Sequence, residues 1–250
     1  MQSIVNDLLT NYRLTGKGKL VLLLHGWGDS SKGLQTLQTT LAKKYQVLSI
    51  DLPGFGGSQP PTEAWSLDEY AAFLPDVLKK LNLKQPYAVL GHSNGGAVAI
   101  RAVSLGKLQP QKLVLLAASG VRHKAAGRRA FLSVLAKTGN LATLWMPERY
   151  RSTLRRSLYA AAGSDLLVVP GMEATFKRTV AQDVQADAAS LDTPTLLIFA
   201  DQDKAVPLAD GERYHELIKD SQLEVIKGAG HFLHLEQPEQ VQTAIQEFLA

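Results

Sequence analysis

The chain has 250 residues, 45% of them hydrophobic and 20% charged, and no cysteine. That length suits one large domain or a core with an inserted subdomain, and the apolar fraction excludes wholesale disorder. The missing cysteines exclude a disulfide scaffold, a zinc–thiolate site, an iron–sulfur cluster and a thiol nucleophile.

The formal net charge is +4, unevenly spread. Between Val121 and Ser190 there are 11 Lys/Arg against 5 Asp/Glu, so the basic excess lies in one middle segment. No recognisable nucleic-acid module accompanies it, and no nucleic-acid partner is expected. No run reaches the roughly 18 apolar residues a bilayer span needs. The start, MQSIVNDLLTNYR, has no basic region followed by an apolar one, so the expectation is a cytoplasmic protein.

Short apolar runs alternate with longer helical patterns, which predicts an α/β fold with a mostly parallel sheet covered on both faces. In chain order the predicted strands are Leu8–Leu14, Lys19–His25, Val47–Asp51, Tyr87–Gly91, Lys112–Ala117, Thr195–Ala200 and Gln222–Lys227. Between them fall predicted helices at Gly33–Lys43, Ser66–Leu81, Asn94–Leu105, Ala209–Ile218 and Pro238–Leu249. Ser66 suits an N-cap, with Glu69 three residues on. From Val121 to Leu191 the alternation breaks. Helical patterns fit Gly127–Thr138, Pro147–Ala161 and Met172–Gln182, with a weak strand signal at Leu166–Val169. This block reads as an inserted helical cap over residues 121–191, within a core formed by residues 1–120 and 192–250.

Gly91-His92-Ser93-Asn94-Gly95 fits G-x-S-x-G, a sharp strand-to-helix turn that lifts a serine above a sheet edge. The strand-like YAVL before it and the helix-like GGAVAIRAV after it supply the required context. His25-Gly26-Trp27-Gly28 follows the LVLLL strand. An oxyanion hole needs N–H donors from two chain segments, and the backbone N–H groups of Trp27 and Asn94 suit that role.

A serine hydroxyl needs a base. Of six histidines, His231 in Gly228-Ala229-Gly230-His231-Phe232 lies in a glycine-flanked loop just past the last predicted strand. His25 and His92 flank the other two motifs and orient loops. His123 opens the cap and His215 lies on a surface-type helix. His234 makes an H-x-x-H pair with His231 that lacks a third ligand, so no metal and no cofactor is expected. A carboxylate must fix the base. Asp203 lies in a loop able to bend back to the site, whereas Asp201 abuts its strand and suits a turn cap. The order Ser93, Asp203, His231, each after its own strand, is far more specific than any one loop.

These motifs resemble the α/β-hydrolase fold superfamily over nearly the whole chain outside the cap. Besides the three loops, Asp51-Leu52-Pro53-Gly54-Phe55-Gly56-Gly57-Ser58 resembles the family's D-x-P-G-x-G-x-S turn, and Ala200 stands where members often carry glycine. The resemblance implies an eight-stranded, mostly parallel sheet with a helical cap. The patterns most resembled are those of small capped carboxylesterases and carbon–carbon bond hydrolases. Family members that open carbon–halogen bonds or epoxides use an aspartate at the elbow; Ser93 points to acyl transfer instead.

The expectation is therefore a serine hydrolase acting on a small-molecule carboxylic ester, with thioester or carbon–carbon cleavage as alternatives. A second class is a ligand-sensing or interaction protein that keeps the fold but turns over slowly. His25, Trp145, Met146 and Phe232 are candidate pocket residues. Phe131, Leu135, Leu141 and Leu144 either line the pocket or form the cap's own core. The Arg-rich ERYRSTLRRSLY segment suits an anionic substrate, or is a solvated face. Oligomeric state is not legible.

Overall fold

A computed structural model describes residues 1–122 and 169–250. The cap helices expected at Gly127–Thr138 and Pro147–Ala161, most of the Leu166–Val169 signal, and the candidates His123, Phe131, Leu135, Leu141, Leu144, Trp145 and Met146 lie outside the described residues.

The central sheet has eight strands: β1 (Gln2–Val5), β2 (Leu8–Thr15), β3 (Leu20–Leu24), β4 (Gln46–Ile50), β5 (Ala88–His92), β6 (Lys112–Leu116), β7 (Thr195–Ala200) and β8 (Ser221–Ile226). Their spatial order is β1-β2-β4-β3-β5-β6-β7-β8. The first two strands pair antiparallel, and β2 joins β4 antiparallel. Every other pairing is parallel. Seven strands fall where the sequence predicts them. The eighth, β1, is the added one, closing an edge hairpin through Asn6 and Asp7, whose φ angles are 48° and 62°.

The helices are α1 (Gln35–Leu41), α2 (Leu67–Lys80), α3 (Asn94–Ser104), α4 (Glu173–Ala181), α5 (Gln185–Ala189), α6 (Leu208–Leu217), α7 (Leu233–Glu236) and α8 (Pro238–Leu249). Ser66 caps α2 with a full capping box to Glu69, which satisfies N–H groups the helix cannot satisfy itself.

Strand periodicity explains the two-sided core. In β3, Leu22 and Leu24 join the cluster containing residues of α2, α3 and α6, while Val21 and Leu23 join the one containing α1 and α8. Successive side chains point to opposite faces, so a run such as LVLLL, buried at every position, needs helices on both. Val184, Ala188 and Leu191, flanking or within α5, belong to the first cluster. Arg101 of α3 ties α5 down further, pairing Asp187 at 2.7 Å and Asp68 of α2 at 2.5 Å.

Chain order reverses direction across the sheet between β3 and β5. In open parallel sheets, ligands bind beyond the carboxyl ends of strands at such a switch point. The HGWG, GHSNGG, DQDKAVP and GAGHF loops all leave the carboxyl ends of β3, β5, β7 and β8.

Candidate active site

Ser93 sits between β5 and α3 with φ 51° and ψ −119°, a conformation costly for any residue with a side chain. The sharp turn demands bare neighbours. A Cβ on Gly91 would lie 2.5 Å from the Gly95 carbonyl oxygen, and one on Gly95 would lie 2.4 Å from that of Leu24. The Ser93 N–H donates to Leu116 at 2.9 Å, and its carbonyl accepts from Gly96 at 2.9 Å and Ser119 at 3.1 Å. The backbone is therefore clamped between strand and helix.

Three loops converge on this serine. His231 Nε2 lies 3.0 Å from Ser93 Oγ, and His231 Nδ1 lies 2.7 Å from Asp203 Oδ2. With Nδ1–H donating to the carboxylate, Nε2 carries the free lone pair and accepts the Ser93 hydroxyl. Asp203 is anchored in turn. Its Oδ1 accepts from the N–H groups of Ala205 at 2.8 Å and Val206 at 2.9 Å. Asp201, the competing carboxylate, accepts from Gly228 N–H at 2.7 Å and braces the base of the histidine loop.

Among the described residues, neither the Trp27 nor the Asn94 backbone N–H has a hydrogen-bond partner. Asn94 follows Ser93 directly and Trp27 follows Gly26, whose added Cβ would lie 3.1 Å from Ser93 Cβ; two unspent donors from these two segments suit an oxyanion site. The side-chain donors Trp27 Nε1 and Asn94 Nδ2 are also buried without acceptors. The Trp27 ring meets Phe55 edge-on at 4.8 Å and Phe176 of α4 at 5.0 Å.

The remaining histidines have separate tasks. His25, a pocket candidate from sequence, is fully buried, with both ring nitrogens spent on backbone. Its Nδ1–H donates to the Gly26 carbonyl at 2.7 Å, and Nε2 accepts from Leu52 N–H at 2.9 Å. It thus orients the loop rather than opening to a pocket. Burial holds its pKa below the ordinary value. His92 donates Nε2–H to the His231 carbonyl at 2.9 Å, and its buried Nδ1 has no partner among the described residues. Burial, with the His234 and His231 charges adding to it, pushes the His92 pKa well below the usual range. His234 packs 4.7 Å from His92 between ring centroids, with neither nitrogen in normal hydrogen-bond geometry. Its burial outweighs the pull of the Asp29 charge and the Gly33 backbone and sets its pKa at about 4. Phe232, the other described pocket candidate, is 46% exposed beside His231.

Asp51 heads the D-x-P-G turn directly after β4. Its carboxylate accepts from the N–H groups of Ser31 at 2.7 Å and Gly57 at 2.8 Å and from Asn11 Nδ2 at 2.8 Å. Burial alone would raise its pKa; these donors reverse that and lower it. Asp51 thereby pins the loop after β3 to the D-x-P-G turn. Only the motif itself signalled this, because the partners lie far apart in sequence. Among the described residues, no group of three or more His, Asp or Glu is arranged to hold a metal.

An eight-stranded α/β sheet with a strained serine at its switch point defines the class. The chain belongs to the alpha/beta hydrolase family, whose family model matches residues 21–244. It is 25% identical, over 96% of its length and 87% of the relative's, to a 2-hydroxy-6-oxo-6-(2'-aminophenyl)hexa-2,4-dienoic acid hydrolase of Metapseudomonas resinovorans. It is 30% identical, over 92% of its length, to the biotin biosynthesis bifunctional protein BioHC of Cellvibrio japonicus, covering 47% of that protein. Among solved structures, a bromoperoxidase from Bacillus anthracis matches with a TM-score of 0.77 and 26% identity, covering 100% of this chain and 99% of that one.

Proposed function

We propose that this chain is a serine hydrolase that cleaves carboxylic ester bonds of small molecules by two-step acyl transfer. The observation that carries this reading is the continuous hydrogen-bond path Ser93–His231–Asp203. Ser93 Oγ attacks the carbonyl while His231 Nε2 takes its proton. The Trp27 and Asn94 N–H groups hold the oxyanion. His231 then protonates the leaving alcohol, and water, activated by the same imidazole, releases the acid and restores Ser93. Asp203 keeps the imidazole in the productive tautomer throughout. Each oxyanion donor of this kind is worth about 3–4 kcal/mol in the transition state.

In this reading the sequence segment 121–191 sets specificity, and Phe232, packed beside His231, borders the acyl pocket. The basic excess of that segment favours an anionic acyl substrate through long-range attraction. A panel of p-nitrophenyl esters of rising chain length, with and without a terminal carboxylate, tests both points. Turnover absent in Ser93→Ala and weakened by salt only for the anionic members is the expected pattern. No ester hydrolysis by the wild type, or salt effects equal for neutral and anionic esters, would contradict it.

A second reading, hydrolysis of a carbon–carbon bond next to a carbonyl, rests on the likeness to the dienoic acid hydrolase. It uses the same serine and histidine on a vinylogous diketone. A chromophoric dienoate consumed faster than any ester would favour it.

A further inference from the structure

His231 must hold two bonds at once, to Ser93 at 3.0 Å and to Asp203 at 2.7 Å, from a loop whose sequence is Gly228-Ala229-Gly230-His231. Glycines flank the residue that most needs a fixed position, and Gly228 adopts φ 70°. The first half of the loop is tied down by the turn that follows β7. Gly228 N–H donates to Asp201 at 2.7 Å, and the Ala229 carbonyl accepts from Gln202 N–H at 3.1 Å. Past Ala229 those ties end.

The second half is tied by two side chains: His92 holds the His231 carbonyl at 2.9 Å, and Glu236 holds the amides on either side of it. Glu236 Oε2 accepts the Gly230 N–H at 2.7 Å, and Glu236 Oε1 accepts the Phe232 N–H at 3.3 Å. One carboxylate thus grips the main chain immediately before and immediately after His231. Helix α7 makes the grip possible. Its Leu233 and His234 are buried, so the single turn is seated in the core. Its closing bonds, from the N–H groups of Leu235 and Glu236 to Phe232 O at 2.8 and 3.0 Å, fold Glu236 back over the loop. Bonds from N–H groups to an ionised carboxylate are the stronger kind. The exposure of Glu236 lets it carry charge without a burial cost.

We infer that Glu236 is a positioning residue for the proposed hydrolysis: its carboxylate spans the N–H groups on either side of His231 and fixes the imidazole between Ser93 and Asp203. The inference rests on the hydrolase reading above for its kinetic arm and on geometry alone for its spectroscopic arm. Small misplacements of a catalytic group are costly in rate while leaving ground-state binding intact.

The test compares wild type, Glu236→Ala, Glu236→Gln and, as a matched loss of one exposed charge on the next helix, Glu239→Gln. Glu236→Ala is expected to lower kcat for a p-nitrophenyl ester roughly tenfold with KM held within about twofold. Glu236→Gln keeps one acceptor oxygen and falls between the two, and Glu239→Gln matches wild type. In parallel, the low-field proton resonance of the His231 Nδ1–H bond to Asp203 should broaden or vanish in Glu236→Ala and persist in Glu239→Gln. A folded Glu236→Ala protein with wild-type kcat, or with an unchanged resonance, overturns the inference. If Glu236→Ala does not fold, Glu236→Gln carries the same comparisons. If the wild type hydrolyses nothing, the hydrolase reading fails while the resonance still reports on the brace.

Discussion

His92 and His231, 139 residues apart in sequence, are joined by a hydrogen bond of 2.9 Å from the imidazole of the first to the carbonyl of the second. The elbow that presents Ser93 therefore also holds the main chain of the residue facing its hydroxyl.

Replacing His92 with Phe keeps an aromatic ring but removes that donor. The part-buried His231 carbonyl loses its bond, at a cost of about 1 kcal/mol. Kcat should drop and the denaturation midpoint should fall, read by steady-state kinetics and urea unfolding. A variant equal to wild type in both would show that the bond is incidental.

The buried histidines predict an acid-sensitive fold. His234 has its pKa lowered from 6.5 to about 4 in the folded state. The unfolded chain thus binds the proton first, and stability is lost as pH falls from about 6.5 through 4. At 1.36 kcal/mol per unit this amounts to roughly 3 kcal/mol, and His92 shifts in the same direction. His234→Gln should flatten the dependence of unfolding free energy on pH across that window. A slope identical to wild type would remove His234 as its source.

The elbow's strain makes an opposite-signed prediction. With φ at 51°, Ser93 occupies a region that suits glycine. Ser93→Gly should raise the melting temperature, by about 1 kcal/mol in stability, while abolishing turnover. Gly95→Ala should lower the melting temperature, because its new methyl would sit 2.4 Å from the Leu24 carbonyl oxygen. Overpacking of this kind costs about 1–3 kcal/mol or more. Calorimetry of the two variants separates strain from packing.

Asp203 and Asp201 are distinguishable by their partners. Asp203→Asn removes the carboxylate that fixes the His231 tautomer and should cut kcat about 10³–10⁴-fold. Asp201→Asn alters the bond from the Gly228 N–H, keeps an acceptor oxygen there, and should stay within roughly threefold. Equal losses in both would reassign the carboxylate.

The sequence patterns that proved legible are the ones with local causes. LVLLL, YAVL and TLLIFA read as buried parallel strands because they are apolar at every position but Thr195, and Ser66 with Glu69 reads as a capping box because both partners lie within one turn. Strand β1 escaped notice since only Val5 of QSIV is buried, so no alternation marks it. Helix α5 is a single short turn, QADAA, too brief to show a helical period and held by Asp187 contacts to Arg101 and Ser104 of α3. The spots of Ser93, Asp203 and His231 were readable from strand-end position. The bonds of Asp51 to Ser31 and of His92 to His231 were not, because they join groups 20 and 139 residues apart; those of Glu236 reach only six and four residues back but leave from a turn too short to show a helical period.

The most direct measurement is labelling with a fluorophosphonate, followed by intact-mass analysis and peptide mapping. One adduct on Ser93, formed at a rate that collapses in His231→Gln and falls in Asp203→Asn, is the result expected. A folded wild-type protein that stays unlabelled, or an adduct on another residue, would contradict the role given to Ser93 and the acyl-transfer chemistry with it.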